Sequence, residues 1–326
     1  MQSFRAFRIH ETHAGVETLT LEQLAPGDVV IRVQWSGINY KDALAVTGKG
    51  RIVRRFPLVG GVDLAGVIVE SSVADYAPGD AVLVTGCGLS ETRDGGYAEY
   101  ARVPADAVVR LPSGFTARDA MTLGTAGFAA ALAITQLEHN GLAPGQGPVA
   151  VTGASGGVGS IAIDMLAQRG YEVVAFTRKR ETTSFLTSLG AKEVLAPDAA
   201  STRPLEAERW AGAVDNVGGA VLSQLLRSTK AQGSVAAVGL AGGAELDVSL
   251  MPFLLRGVNL LGVNSAATRR DKRLAIWQRI AGDLKPRHLN RIATGTVTLD
   301  DLPQACAMVL AGSHTGRTLV RIGDER

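Results

Sequence analysis

One stretch decides the fold of this chain: Val149-Ala-Val-Thr-Gly-Ala-Ser-Gly-Gly-Val-Gly159. Its first four residues predict a short buried strand, its glycines predict a tight turn, and the apolar spacing of residues 160–169 predicts a helix. Such a turn aims several backbone N–H groups at one point, where the helix dipole also favours an anion. The register is Ala154-x-Gly156-x-x-Gly159, with alanine at the first glycine of the common G-x-G-x-x-G pattern. The stretch therefore predicts a site for the pyrophosphate of a dinucleotide.

Length and composition limit the possible classes of protein. The 326 residues fit two domains, and 46% hydrophobic residues supply enough apolar material for two cores. A formal net charge of +2 gives no strong field for nucleic acid or for an anionic membrane. The first residues carry charges where a signal peptide needs an apolar segment, and no apolar run has a membrane-spanning length. We expect a soluble, cytoplasmic protein without nucleic-acid or membrane partners.

Cysteine and histidine usage gives no indication of a metal. The two cysteines, Cys87 and Cys306, cannot form a disulfide framework or a four-cysteine zinc lobe. The five histidines show no His-x-x-x-His spacing. We therefore expect two reduced thiols and no bound metal.

The strand pattern changes along the chain. About the first 110 residues predict short strands at intervals of about ten residues, as in a compact barrel. Residues 119–138 predict a long buried helix, and from Val149 strands alternate with helices, as in a doubly wound parallel sheet. The tail returns to the character of the first part. The predicted organisation is a Rossmann domain, residues 123–264, inserted into a β-barrel catalytic domain formed by residues 1–122 and 265–326.

Several segments in this order resemble the medium-chain dehydrogenase/reductase superfamily over almost the whole chain. The similarity is closest to its zinc-independent, quinone-oxidoreductase-like members, in the branch of NADPH-dependent acrylyl-CoA reductases. It implies a GroES-like catalytic domain around the Rossmann domain. The matching segments are Trp35-Ser-Gly-Ile-Asn-Tyr-Lys-Asp-Ala-Leu44, Thr47-Gly-Lys-Gly50, Gly124-Thr-Ala-Gly-Phe128, the loop 152–160, Gly239-Leu-Ala-Gly-Gly243, Met251-Pro-Phe253 and Gly316-Arg-Thr-Leu-Val320.

The same comparison argues against catalytic zinc. Zinc-dependent members carry a cysteine near the position of Asn39 and a Gly-His-Glu sequence shortly afterwards, where this chain has Gly61-Val62-Asp63. Valine cannot coordinate zinc, so the Lewis acid that polarises an alcohol is missing.

The end of the second Rossmann strand indicates which cofactor is bound. A site for NAD usually places Asp or Glu there, whereas this chain has Thr177-Arg178-Lys179-Arg180, which suits the 2′-phosphate of NADPH. A solvated basic turn is the alternative. The branch often carries an arginine where this chain has Pro197. The loop and the resemblance together predict the cofactor contacts Tyr40, Thr125, Ser155, Gly156, Gly157, Val158, Gly159, Thr177, Arg178, Lys179, Leu240 and Ser265.

Three residues are candidates for chemistry at the nicotinamide. The phenol of Tyr40 is a neutral hydrogen-bond donor at pH 7 and suits a developing enolate, or it contacts only the cofactor. Asp42 is the second catalytic candidate, although it is also suited to anchoring the loop. Thr125 either contacts the nicotinamide amide or caps a helix.

A basic loop is a candidate binding site for an acidic part of the substrate. Lys49, Arg51, Arg54 and Arg55 lie close together, with Arg54 the candidate contact for the phosphates of coenzyme A. A solvated charged loop explains it equally well.

The favoured activity is NADPH-dependent reduction of short 2-enoyl-CoA thioesters, best represented by acrylyl-CoA. Reduction of quinones or other enones, and NADPH binding without turnover, are the alternatives. The apolar strand 258–263 predicts a homodimer, because an exposed apolar edge strand tends to pair.

Overall fold

Alternating buried and exposed residues build the first of two units from β-strands. The computed structural model describes residues 3–197, 201 and 203–323. The first unit consists of Met1–Thr125, Ala266–Trp277 and Leu289–Arg326, and the second of Ala126–Ser265 and Gln278–His288. The sequence-based boundaries group all of residues 265–326 with the first domain, whereas residues 278–288 cluster with the second unit. The domain boundaries themselves stay a prediction.

The described residues contain sixteen strands and nine α-helices, with three short 3-10 turns between them. The strands are β1 (Phe4–Ile9), β2 (Ala14–Leu19), β3 (Val29–Gly37), β4 (Leu58–Val59), β5 (Asp63–Ser71), β6 (Ala81–Thr85), β7 (Tyr100–Val103), β8 (Val109–Arg110), β9 (Val149–Val151), β10 (Val173–Phe176), β11 (Glu193–Leu195), β12 (Trp210–Asp215), β13 (Thr229–Ala237), β14 (Asn259–Gly262), β15 (Ala293–Val297) and β16 (Arg317–Arg321). The helices are α1 (Tyr40–Val46), α2 (Ala117–His139), α3 (Gly157–Gln168), α4 (Thr183–Ser188), α5 (Gly219–Ser228), α6 (Met251–Arg256), α7 (Arg270–Ala281), α8 (Leu289–Ile292) and α9 (Leu302–Leu310).

The first unit holds two sheets. The larger has the order β15-β16-β3-β5-β6-β8 with β7 paired to β3, and the smaller has the order β2-β1-β4. Inward-facing residues such as Ile31, Leu64 and Val84 are almost completely buried and form the core of the larger sheet. These β-sheets agree with the strand pattern of the sequence.

The second unit is a six-stranded parallel sheet with the order β11-β10-β9-β12-β13-β14. The strand order reverses beside β9, the strand that leads into the Gly-rich turn. In open parallel sheets ligands bind at such a switch point, beyond the carboxyl ends of the strands. The predicted doubly wound sheet is confirmed.

Helix α1 corrects the prediction of an all-β first part. Asn39 precedes the helix, and its backbone N–H donates to the Asp42 carboxylate at 2.9 Å. An asparagine followed three residues later by a carboxylate is a helix-start signal, because both satisfy groups that the first turn leaves unpaired. Residues 40–46 are therefore helical, although flanked by strands.

Helix α2 is the one helix among the described residues long and apolar enough to cross a membrane by length and composition. Its apolar window is 83% buried inside the structure, as expected for a core helix. Gly124 interrupts the helix with φ 49° and ψ −152°, a conformation that favours glycine. A Cβ at this position would also meet the carboxylate of Asp63 at 2.5 Å.

Two glycines of the same turn should differ in their tolerance of alanine. A Cβ at Gly159 would lie 2.5 Å from the carbonyl oxygen of Gly153 and 2.7 Å from the Cα of Ala154, both fixed backbone atoms. A Cβ at Gly156 would meet only one atom, at 3.3 Å. We expect Gly159→Ala to lower the free energy of unfolding by about 1–3 kcal/mol, with Gly156→Ala close to wild type. Urea denaturation of both variants checks this, and equal losses would contradict the geometry.

Candidate functional site

The Gly-rich turn of the second unit is built by backbone atoms. The N–H of Ala154 donates to the carbonyl of Phe176 at 3.2 Å, and the N–H of Gly156 donates to the carbonyl of Gly153 at 3.0 Å. Helix α3 begins immediately afterwards, and no side chain caps its first turn. The first N–H groups of a helix have no partner within the helix, and the helix dipole adds a partial positive charge. The turn is therefore an anion cradle.

A buried polar cluster supports this cradle from β12. The Thr152 hydroxyl donates to the Asp215 carboxylate at 2.6 Å, and the Asn216 amide donates to the carbonyl of Thr152 at 2.7 Å. Burial raises the pKa of Asp215, while the hydrogen bond from Thr152 opposes the rise. The Asn216 Oδ1 atom is buried and has no hydrogen-bond partner. Sequence reasoning missed both residues, because their partner is remote in the chain.

The end of β10 lies beside the cradle. The hydroxyls of Ser155 and Thr177 are 3.4 Å apart, and the backbone N–H of Lys179 donates to the Thr177 hydroxyl at 3.1 Å. Thr177 is buried, Lys179 half-buried and Arg178 exposed. Burial lowers the pKa of Lys179, so a neighbouring anion would stabilise its charged form. The structure thus brings the loop residues 155–159 and Thr177 together.

Two further predicted contacts lie after later strands of the same unit. Leu240 is 63% exposed, an unusual degree for a large apolar side chain, and Ser265 is half-buried. Both follow the carboxyl ends of strands, β13 and β14 respectively. An open glycine cradle, an unpartnered buried oxygen and a basic turn form a set that fits a phosphorylated dinucleotide.

The remaining predicted residues belong to the first unit, where Tyr40 opens α1. Tyr40 is 43% exposed, so part of the residue faces solvent. Asp42, two residues later, is completely buried. It accepts hydrogen bonds from the backbone N–H groups of Asn39 and Val62, each at 2.9 Å. Asp42 therefore anchors the start of the helix that carries Tyr40.

Asn39 links two buried carboxylates. Its amide nitrogen donates to Asp42 Oδ2 at 3.0 Å and to Asp63 Oδ2 at 2.8 Å. Asp63 also accepts hydrogen bonds from Thr125, from the backbone N–H at 2.9 Å and from the hydroxyl. Thr125 is thus held at the restart of α2 after Gly124. Sequence reasoning treated Asp63 only as part of a lost metal motif.

Arg317 completes the cluster from β16. Its guanidinium donates to the carbonyl of Ile38 at 2.8 Å, to Asn39 Oδ1 at 3.0 Å and to the carbonyl of Thr122 at 3.1 Å. Its Nη2 atom is 3.9 Å from the Asp63 carboxylate, and both side chains are buried. The sequence analysis used residues 316–320 as one of the segments that resemble the family, but it assigned no role to Arg317.

The electrostatics of the cluster follow from burial. Desolvation, together with the charge of Asp63, raises the pKa of Asp42 to about 7 from its ordinary value of 3.8. Desolvation also raises the pKa of Asp63, although the charge of Arg317 opposes this. Burial likewise lowers the pKa of Arg317.

The cluster includes Asn39 and Asp63, which lie in the segments that the sequence analysis compared with the metal-binding segments of zinc-dependent members. Val62 has no donor atom, the carboxylate of Asp63 already accepts hydrogen bonds from Thr125 and Asn39, and a guanidinium supplies the positive charge. These residues do not fit a zinc ion.

The basic loop lies on the surface of the first unit. Arg55 is 3.5 Å from the carboxylate of Asp94, and the backbone N–H of Arg54 donates to the carbonyl of Glu91 at 2.8 Å. The side chain of Arg54 is exposed and forms no ion pair within the described residues. It is therefore available to an anionic ligand.

A parallel sheet with an anion cradle, joined in one chain to a β-rich unit, is an arrangement that nucleotide-dependent dehydrogenases and reductases use to bind their cofactor. Two family models match this chain: "Alcohol dehydrogenase GroES-like domain" over residues 25–113 and "Zinc-binding dehydrogenase" over residues 157–281. The acrylyl-CoA reductase AcuI of Ruegeria pomeroyi is 49% identical over 96% of this chain and 95% of its own length.

Two solved structures extend the comparison. Escherichia coli YhdH with bound NADPH has a TM-score of 0.95 and 44% identity, covering 98% of this chain and all of that one. Bacillus subtilis YhfP, a putative quinone oxidoreductase, is 46% identical over 94% of each chain. Its structure with bound NAD has a TM-score of 0.95 and covers 99% of this chain and all of that one. This chain belongs to the medium-chain dehydrogenase/reductase family, and it is an oxidoreductase.

The raised pKa of Asp42 predicts a pH dependence of stability. Between pH 3.8 and about 7 the folded protein retains a proton on Asp42 that the unfolded chain has lost. The free energy of unfolding therefore falls as pH rises through this range and levels off above it. Urea denaturation should show a shallower fall for Asp42→Asn than for wild type. The slope is the diagnostic quantity, because the new amide also places an N–H against the N–H of Val62. Identical slopes would contradict the assignment.

Proposed function

We propose that this enzyme uses NADPH to reduce the activated carbon–carbon double bond of short 2-enoyl-CoA thioesters, with acrylyl-CoA as the representative substrate. The observation that carries the proposal is the 49% identity to an acrylyl-CoA reductase over 96% of the chain. The basic turn after β10 and the exposed Arg54 add two sites for phosphate groups. We infer a cytoplasmic location for the same activity.

The second unit would hold NADPH through backbone and cationic groups. The cradle formed by Ser155, Gly156, Gly157, Val158 and Gly159 binds the pyrophosphate through N–H groups and the dipole of α3. Thr177 and the cations of Arg178 and Lys179 bind the 2′-phosphate, which a carboxylate in the same place would repel. Pro197 offers no charge, so the phosphate depends on these three residues. Leu240 and Ser265 complete the contacts.

The first unit would supply the proton chemistry. When bound, NADPH supplies a hydride to the β-carbon of the double bond, and negative charge develops on the thioester oxygen. The Tyr40 phenol, exposed at the start of α1, donates a hydrogen bond to that oxygen or a proton to the α-carbon. The buried Asp42 and the half-buried Thr125, which both belong to the network around Asn39 and Asp63, fix the position of Tyr40 and of the restart of α2.

Quinone reduction is the second candidate. It is favoured by the 46% identity to YhfP, a putative quinone oxidoreductase. A quinone accepts the same hydride but has no phosphate groups for the basic loop. Binding of NADPH without turnover is the remaining alternative, and it predicts no NADPH oxidation with either class of substrate.

We expect this enzyme to bind NADPH more tightly than NADH. Lys179→Glu should weaken NADPH binding by about 10- to 100-fold, because one charge-assisted hydrogen bond contributes about 1.5–3 kcal/mol. The affinity for NADH should change little. Fluorescence titration with both cofactors measures this, with Lys192→Glu as the control for general charge reversal. Equal affinities of the wild type for the two cofactors would contradict the proposed phosphate site.

Acrylyl-CoA should be a better substrate than a truncated acrylyl thioester or benzoquinone, as judged by kcat/KM. Arg54→Ala should lower kcat/KM for acrylyl-CoA by about tenfold or more and leave the other two substrates unchanged. Arg321→Ala, which removes another exposed arginine, is the matched control. If the truncated thioester reacts as well as acrylyl-CoA, coenzyme A is not recognised. An equal loss for all three substrates would show that Arg54 is structural.

We also propose that two copies of the chain associate through the edge of the parallel sheet. Strand β14 pairs only with β13 within the described sheet. Beside it α6 exposes large apolar side chains, Leu254 at 77% and Leu255 at 68%. Leu260 of β14 is also exposed, at 38%. Exposed apolar side chains together with an unpaired strand edge are typical of an interface.

Light scattering should therefore give the mass of a homodimer. Leu254→Asp should shift the protein toward the monomer, because dimerisation would bury the new carboxylate. Met308→Asp changes an exposed apolar residue of the first unit and should remain dimeric. A wild-type monomer at micromolar concentration would overturn the proposal.

A further inference from the structure

The N-terminal hairpin gathers two histidines and a glutamate that the sequence analysis did not connect. Strands β1 and β2 pair antiparallel, with Ile9 opposite Ala14 and Ala6 opposite Glu17. The N–H of His10 donates to the carbonyl of His13 at 2.8 Å and closes the four-residue loop. This backbone bond fixes the two histidines opposite each other at the end of the hairpin.

Their side chains converge with Glu17. The imidazole rings of His10 and His13 stack with centroids 4.3 Å apart and planes within 6°. His10 Nε2 is 2.5 Å from Glu17 Oε1. One ligand atom from each of the three residues lies within 4.8 Å of the other two. Among the described residues, this is the one such group of three potential metal-binding side chains.

We propose that His10, His13 and Glu17 form a binding site for a divalent transition-metal ion, with Zn²⁺ as the representative. Imidazole and carboxylate ligands suit Zn²⁺, whereas Mg²⁺ prefers oxygen ligands alone. Metal–ligand bonds of about 2.0–2.1 Å require the ligand atoms to lie about 3.3 Å apart. His10 Nε2 and Glu17 Oε1, which are 2.5 Å apart in the metal-free structure, therefore separate when the ion replaces their hydrogen bond. His13 is exposed, so rotation of its side chain brings its ring nitrogen to that separation.

The surroundings leave room for the ion. Gly15 lies between His13 and Glu17 on β2, and a Cβ built there meets nothing within 4 Å. Open space at this position accommodates the water molecules that complete the coordination. Glu17 Oε2 lies 3.6 Å from Arg8, so Oε1 ligates the ion while Oε2 remains with the guanidinium.

The hairpin site consists of different residues from those proposed to act in the reaction. The buried cluster of Asn39, Asp42 and Asp63 includes no histidine, and its members bind one another. Within the described structure neither His10 nor His13 is bonded to them. The ion would instead join the two ends of the hairpin loop, His10 and His13, to Glu17 on β2. Its binding should raise the melting temperature by mass action.

Isothermal titration calorimetry of the untagged, metal-free full chain tests the site. We expect one equivalent of Zn²⁺ to bind, and Mg²⁺ not to bind. His13→Gln and Glu17→Gln should each weaken Zn²⁺ binding at least tenfold, since even loss of a residue that only supports a ligand typically costs about 10–100-fold. The matched control is His139→Gln, which removes an exposed histidine at the end of α2 and should bind as wild type.

Thermal unfolding supplies a second readout. Zn²⁺ should raise the melting temperature of wild type and of His139→Gln, and should have a reduced effect on the two ligand variants. Absence of Zn²⁺ binding by wild type would overturn the proposal. Wild-type affinity in either ligand variant would overturn it equally, because the three side chains would then not act as one site.

Discussion

The guanidinium of Arg317 organises the first unit from within. It donates to the carbonyls of Ile38 and Thr122 and to the side chain of Asn39, and it lies 3.9 Å from the buried carboxylate of Asp63. A buried cation without such partners would be strongly destabilising, because desolvation costs several kcal/mol per ion. Four elements must therefore meet around it: the end of β3, the start of α1, the first part of α2 and β16. Their common arrangement is the constraint on which the predicted contacts Tyr40 and Thr125 depend.

The buried cluster is held together by charges and hydrogen bonds of the chain itself. Its positive charge comes from Arg317, whose Nη2 atom lies 3.9 Å from the Asp63 carboxylate. Asn39 then connects Asp63 to Asp42 by two hydrogen bonds from one amide nitrogen. The two carboxylates are coupled, because the charge of one raises the pKa of the other. A change in any member is transmitted to the start of α1, and so to the position of the Tyr40 hydroxyl.

The parts that sequence could predict are those with local causes. Strand, glycine turn and helix follow one another within residues 149–169, so the spacing of apolar residues and glycines predicts the parallel sheet and its cradle. The break in α2 has a local sign, Gly124, but the contact that excludes a Cβ there comes from Asp63, a residue remote in the chain. Arg317 and Asn39 meet across 278 residues, and no periodicity marks such a pair. His10 and His13 lacked a familiar metal spacing, because hairpin pairing, and not helical repetition, brings them together.

The two units differ in how they would recognise ligands. This difference bears on why one relative is named as an acrylyl-CoA reductase and another as a putative quinone oxidoreductase. In the second unit recognition would rest on backbone N–H groups and on Gly159, where an added Cβ would meet fixed backbone atoms, so this position tolerates little variation. In the first unit the buried network positions Tyr40, whereas the basic loop is exposed and its cations are weakly fixed. Under the proposed function, hydride transfer would require only the cofactor cradle and the positioned Tyr40. Discrimination between an acyl-CoA and a quinone would require the loop, where single substitutions cost little stability. Relatives could then share the reaction and differ in substrate, and the proposed contacts of Arg54 would distinguish the two cases.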